Sequence, residues 1–238
     1  MGMKSGFALG YTEEALDAQA KVLAEQYGFR IVEHELPRLQ LTQQGLVLLM
    51  AHFTPLTVDF NAYVSHRRLD KKHGLIRACK PTPGLRIVDV TGGWGRDAGL
   101  LAQYGAHVVM VERQPCMAAL LQDGLQRLTP RSLNLSCIHQ DARSYLQHLL
   151  PHEYPDVIYI DPMHPERQKS ALVKKDMQVL QHLFGPDEDA KELLNLSLNR
   201  AKKRIVVKWP QREAPLRRPQ TSIEGKTVRF DIYSLIGW

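Results

Sequence analysis

From Leu85 onward the chain alternates short apolar runs with helix-length amphipathic runs, an order that few architectures accept. The apolar runs are LRIVDV (85–90), HVVMVE (107–112), LSCIHQ (135–140), DVIYID (156–161) and RIVVKW (204–209). Between them the spacing predicts helices over Gly95–Tyr104, Pro115–Leu128, Arg143–Leu150 and Glu166–Leu183, with Asp187–Asn199 adding one more. Strands separated by helices pair in parallel, and the helices cover both faces of the sheet. A doubly wound α/β sheet is therefore expected. The tail TSIEGKTVRFDIYSLIGW sets Glu224-Gly225-Lys226 between two strand-like runs and closes as an antiparallel hairpin. That brings the mostly parallel sheet to seven strands.

The residues before this pattern read differently. Ala15, Ala18, Val22, Leu23 and Tyr27 share a helical stripe over Glu13–Tyr27, while RIVEHEL (30–36), LVLLMAHF (46–53) and LTVDF (56–60) look like strands, with QQG (43–45) as a turn. PTPGL (81–85) carries the prolines and glycine of a boundary. The division expected is a small α+β lobe over residues 1–80 and a second domain over 81–238.

With 238 residues, 44% of them hydrophobic, the chain can bury one substantial core. No stretch approaches the roughly 20 apolar residues of a membrane span, and MGMKSGFALGYTEEALDAQA lacks the profile of a signal peptide. No membrane partner and a cytoplasmic location are expected. The three cysteines, Cys79, Cys116 and Cys137, form no CxxC pair, and no His/Asp/Glu cluster has metal-ligand spacing, so neither a disulfide framework nor a metal site is indicated. His107, His148 and His182 stand alone. The formal charge of +6 is concentrated in SHRRLDKKHGLIRACK (65–80), RQKSALVKK (167–175) and RAKKRIVVKWPQREAPLRR (200–218), blocks suited to a polyanion.

Chemistry enters at the strand ends. In DVTGGWGRDAG (89–99) the first strand of the pattern runs into Gly92, Gly93 and Gly95 before a helix, the arrangement that brings a backbone close to a bound cofactor. The next strand ends on Glu112, roughly 20 residues on, where a carboxylate accepts from ribose hydroxyls. Asp141 ends the third, placed to accept from an adenine amino group or to cap the following helix. A nicotinamide dinucleotide and S-adenosylmethionine both satisfy these features. The fourth strand separates them, because Asp161-Pro162-Met163-His164-Pro165 suits the methylation of an exocyclic amine. The Asp161 carboxylate and the Pro162 carbonyl can each accept an N–H from a base amine and hold its nitrogen in line with a methyl donor. Met163 or His164 offers a surface for base stacking.

DVTGGWGRDAG, VERQP, IYIDPMHPERQKSALVKKDMQVL, GPDEDA, KRIVVKWP and RFDIY together resemble the RsmJ family of bacterial 16S ribosomal RNA guanine-N2 methyltransferases, and VDFNAYVSHRRLDKKHG resembles the segment preceding its cofactor domain. The resemblance covers nearly all the chain from Val58. It implies a class I Rossmann-like methyltransferase that moves a methyl group from S-adenosyl-L-methionine to guanosine N2 in 16S rRNA or the 30S subunit. Carried over by motif, the cofactor contacts are Arg96, Asp97, Glu112, Arg113, Asp141, Ala142 and Asp161. This chain departs from the family pattern at Gly92-Gly93-Trp94, at His164 in place of an aromatic, and at Asp70-Lys71-Lys72 in place of a glycine-rich run. His66, Arg67 and Arg68, with Lys169, Lys174 and Lys175, are candidate grips on RNA phosphates. Two other readings stand beside this one: a nicotinamide-dependent oxidoreductase, and a catalytically silent RNA-binding assembly factor.

Overall fold

The computed structural model describes residues 6–62, 72–129, 133–164 and 175–235. The N-terminal lobe holds β1 (Ala8–Tyr11), α1 (Asp17–Tyr27), β2 (Arg30–Ile31), β3 (Arg38–Thr42) and β4 (Gly45–Leu49) in a four-stranded sheet of order β2-β1-β3-β4. A 3-10 turn at Glu14–Leu16 precedes α1, which ends where Gly28 adopts a left-handed conformation and returns its amide to Ala24.

The strands of this lobe differ from those expected. The RIVEHEL strand survives only at Arg30–Ile31, because Glu33, His34 and Glu35 point to water and have no face to bury. The next strand is instead Arg38–Thr42, whose Leu39 and Leu41 are buried. The strand expected over 46–53 stops at Leu49, and 56–60 forms no strand. That segment makes a single bridge, Leu48 to Leu56, and sends Val58 and Phe60 into the core.

The second sheet follows the predicted alternation. After α2 (Gly74–Cys79) come β5 (Arg86–Asp89), α3 (Arg96–Ala102), β6 (His107–Glu112), α4 (Pro115–Gln126), β7 (Leu135–His139), α5 (Ala142–His148), β8 (Val157–Ile160), α6 (Lys175–Phe184), α7 (Ala190–Ser197), β9 (Arg204–Pro210), β10 (Thr221–Glu224) and β11 (Val228–Ser234). The order is β10-β11-β9-β8-β5-β6-β7, parallel from β9 to β7, with β11 antiparallel to both β9 and β10. All four β8 residues, Val-Ile-Tyr-Ile, are buried, as a strand covered on both faces requires. Val157 and Tyr159 join the core beneath α3, α4 and the N-terminal lobe, whereas Ile158 and Ile160 face the core beneath α5 and α7.

The first of these cores is continuous with the lobe: Leu9, Leu39 and Leu41 belong to the same buried cluster as Met117 and Leu120 of α4. Gly124 lets the chain at Val58 cross α4 closely, since a Cβ there would lie 2.7 Å from Val58 Cγ1. The cysteines are free, Cys79 and Cys116 being buried. Among the described residues, no helix is long and apolar enough to cross a membrane. His66, Arg67, Arg68, Lys169 and Lys174 lie outside the described residues, as do the side chain of Lys175 and residues 166–174 of the helix expected over Glu166–Leu183.

Candidate active site

The order of the strands reverses between β5 and β8, and the crevice at their carboxyl ends is where open α/β sheets hold ligands. The loop after β5 and the corner after β8 are tied together there. Asp89, 2% exposed, accepts hydrogen bonds at Oδ1 from the Thr91 amide (3.0 Å) and the Thr91 hydroxyl (3.1 Å). The same hydroxyl oxygen accepts from the Asp161 amide at 2.8 Å. Burial raises the Asp89 pKa to about 7, against the opposing pull of the Thr91 amide.

The glycine loop turns within itself: the Gly95 amide donates to Gly92 O at 2.8 Å, and Gly93 and Gly95 hold φ values of +51° and +68°. Glu112 clamps it. Its Oε2 accepts from the Gly93 amide and its Oε1 from the Gln114 amide, both at 2.7 Å. Burial moves the Glu112 carboxyl upward, and these two amides work in the other direction. Gly95 was expected to touch the cofactor, but it turns beneath the loop, where a Cβ would lie 2.7 Å from the Phe60 ring and 2.8 Å from Leu121. Its absent side chain lets the loop settle on the core.

At the corner, Asp161 meets a residue the sequence reading did not single out. Lys208, on β9, places its Nζ 2.7 Å from Asp161 Oδ2 and 3.0 Å from Asp97 Oδ2. The buried Tyr159 hydroxyl donates to the same Asp97 oxygen at 2.6 Å. The side chains of Lys208, Asp97 and Asp161 keep 27%, 25% and 29% of their surface exposed, toward the crevice. Burial opposes charge on Asp97, but the Lys208 ammonium and the Tyr159 hydroxyl outweigh it and hold that carboxyl below its ordinary range. Asp161 goes the other way: burial, with Asp97 close by, raises its pKa in spite of Lys208. In the sequence Lys208 shows only as a lysine that follows the apolar residues Ile205, Val206 and Val207.

The far wall is built from Gly185-Pro186-Asp187-Glu188-Asp189. Arg113 ion-pairs with Asp187 and, at 2.9 Å, with Asp189, while Asp187 Oδ2 accepts from the Met163 amide at 2.7 Å. Asp141 proves to be the N-cap of α5, accepting from the Arg143 and Ser144 amides. Partial burial resists its charge, yet Arg143 and the cap amides keep the carboxyl below the usual range. His164 stands edge-on to Trp209, with ring centroids 4.3 Å apart and planes at 78°.

These walls enclose a cleft of about 450 Å³, lined by every site residue expected from the sequence except Gly95. Trp94, Met117, Leu180 and Phe184 add an apolar side. The chemistry of the lining suits S-adenosylmethionine: Asp97 and Asp161 favour its sulfonium and amino cations, Glu112 and Asp141 offer acceptors to the hydroxyl and amino groups of its adenosine, and the apolar side accepts an adenine ring. A dinucleotide pyrophosphate fits poorly. It would face those carboxylates, and the Gly93 amide that would receive it already donates to Glu112. The nicotinamide reading fails on that observation.

Comparison with known proteins agrees. Residues 22–235 match a family described as "Putative SAM-dependent methyltransferase". A protein of Legionella pneumophila (strain Philadelphia 1) called ribosomal RNA small subunit methyltransferase J is 52% identical over 95% of each chain, and one of the same name from Coxiella burnetii (strain Dugway 5J108-111) is 40% identical over 98% of each. The crystal structure of a SAM-dependent methyltransferase from Neisseria gonorrhoeae, 26% identical, superposes with a TM-score of 0.73 and 97% coverage of both chains. With the crevice, its lining and these relatives in agreement, the chain belongs to the S-adenosylmethionine-dependent methyltransferases of the ribosomal RNA small subunit methyltransferase J family.

Proposed function

We propose that the protein methylates the exocyclic N2 of a guanosine in 16S ribosomal RNA, with residues 81–238 carrying the chemistry and residues 1–80 forming a lobe that helps dock the RNA. The observation that carries this reading is the Thr91 hydroxyl joining the glycine loop to the Asp161-Pro162 corner on one cleft, which supports a cofactor and a base amine meeting there. The bound cofactor supplies an electrophilic methyl group; the chain's own task is to present the amine.

That amine is a poor nucleophile because its lone pair is delocalised into the guanine ring. The Asp161 carboxylate and the Pro162 carbonyl accept its two N–H groups, favouring a localised lone pair and fixing its direction. Met163 and His164 flank the place of the base, and His164, braced by Trp209, offers it a ring edge or face. Glu112, Asp141 and Ala142 face the adenosine part of the cofactor, while Arg96, Asp97 and Arg113 complete its surroundings.

RNA as the substrate is supported by charge as well as by the relatives. The ordered segment after β9 exposes Arg212, Arg217 and Arg218, and the β10–β11 turn exposes Lys226. Arg67, Arg68, Lys169, Lys174 and Lys175 are assigned to phosphate contacts on sequence grounds, and a ribosomal RNA substrate places the protein in the cytoplasm. The test is transfer of labelled methyl from S-adenosylmethionine to 30S particles and to naked 16S rRNA, followed by nucleoside analysis for N2-methylguanosine. Asp161→Ala lowers turnover by about a hundredfold or more while RNA affinity changes less than tenfold, because phosphate contacts dominate that affinity. Absence of transfer by the unaltered protein to both substrates would overturn the reading.

A further inference from the structure

We infer that Lys208 is a positioning residue for methyl transfer: it occupies one oxygen of Asp161, leaves the other for the base amine, and ties the catalytic corner to the cofactor loop through Asp97. The inference rests on the assignment of Asp161 to the amine. Its ground is geometric. Lys208 projects from a central strand whose preceding residues Ile205, Val206 and Val207 are all buried, and its ammonium lies 2.7 Å from Asp161 and 3.0 Å from Asp97. Asp97 belongs to the first turn of α3, directly after the glycine loop, and Asp161 to the corner after β8. One cation on a third element therefore couples two halves of the crevice that are also joined by the Thr91 hydroxyl at Asp161 and the Tyr159 hydroxyl at Asp97.

The charges around this point explain why a cation is needed. Asp161 faces Asp97 from α3 and Asp187 from the loop before α7, and it acts in turn on Asp89 at the end of β5. Tyr159 on β8, which donates to Asp97, and Cys79 on α2, which feels its charge, are neutral groups, their pKa values raised well above normal mainly by burial. His73, ahead of α2, also acts on Asp97. Without Lys208, two neighbouring carboxylates in a partly buried crevice share a proton. A protonated Asp161 would donate a hydrogen bond where the amine requires an acceptor.

The experiment compares Lys208→Met, Lys208→Arg and Asp161→Asn with the unaltered protein. It measures methyl transfer to 30S particles from pH 5 to 10, S-adenosylhomocysteine binding by calorimetry, and thermal melting. For Lys208→Met the expected result is a fall in kcat of at least about tenfold at pH 7, with KM and S-adenosylhomocysteine affinity within about threefold. The acid limb of the kcat profile moves up by at least about one pH unit, so that part of the activity returns at high pH. Lys208→Arg keeps the acid limb in place. An unshifted limb in Lys208→Met, or a loss confined to KM or to cofactor affinity, overturns the inference. If Lys208→Met does not melt cooperatively, Lys208→Gln takes its place and the same shift is required. Full activity in Asp161→Asn would instead show that the assignment of Asp161 had failed. An inactive Asp161→Asn beside an unshifted Lys208 variant defeats the Lys208 inference alone.

Discussion

Glu112 shows how a side chain proposed to meet the ligand also serves the fold. Sequence placed it at a strand end facing a ribose; in the structure both oxygens also hold backbone amides of the loops around the crevice. Glu112→Ala leaves the Gly93 and Gln114 amides without that acceptor, and S-adenosylhomocysteine affinity measured by calorimetry is expected to fall by about 1–3 kcal/mol. Unchanged affinity would refute its part in cofactor binding. Asp89 supplies a test against pH. Its carboxyl is raised from 3.8 to about 7 in the fold, so between those values the native state binds more protons than the unfolded chain. The Asp89 contribution to stability is therefore full below about pH 4 and declines as pH rises toward 7. Asp89→Asn keeps an acceptor for Thr91 and loses the titration, so its melting temperature should fall less between pH 5 and pH 8 than that of the unaltered protein. Parallel pH dependences would contradict this account. Among the site residues, Glu112, Asp141 and Asp161 were legible because each ends a strand in a recognisable pattern, whereas Lys208 was not. Its role depends on β9 lying beside β8, a neighbour relation no local pattern states.

At the scale of elements, the wall formed by residues 185–189 depends on a residue from another strand end. Arg113 follows β6 and reaches across the crevice to Asp187 and Asp189. Arg113→Ala should accelerate amide exchange over residues 187–190 and weaken S-adenosylhomocysteine several-fold while leaving the sheet protected. Exchange rates unchanged in that segment would show that Arg113 does not hold it. The parallel strands and their helices were readable because a strand covered on both faces is a continuous apolar run, as in DVIYID. β3 was overlooked because its run is short and directly follows Pro37, with only Leu39 and Leu41 to mark the buried face. Segment 56–60 has strand-like composition, yet Val58 and Phe60 are used against α4 and the glycine loop. Propensity there yields to packing.

For the molecule as a whole, charge and core divide the labour. The segment between β9 and β10 is held by Arg229, whose Nη1 donates to the carbonyls of Pro210, Gln211 and Glu213 at 2.9 Å each, and by the Tyr233 hydroxyl donating to Arg217 O at 2.7 Å. Its exposed arginines are thus presented on a settled backbone, at little ordering cost on binding. Replacing Arg212, Arg217 and Arg218 together with Gln is expected to weaken 16S rRNA binding. The slope of log affinity against log salt should fall by about 2, at roughly 0.7 for each single-strand phosphate that no longer meets an arginine. S-adenosylhomocysteine affinity stays the same, and an unaltered salt slope would remove these arginines from the RNA surface. The sequence by itself determined the parallel sheet, the strand-end carboxylates and the glycine loop, because apolar period, chain reversal and backbone freedom are local properties of a few adjacent residues. Only the tertiary structure decided that the N-terminal lobe shares its core with α4, that Gly95 faces Phe60 rather than the cleft, and that Lys208 stands between Asp97 and Asp161. Those relations join residues far apart in the chain, and packing and Coulomb attraction act on distance in space.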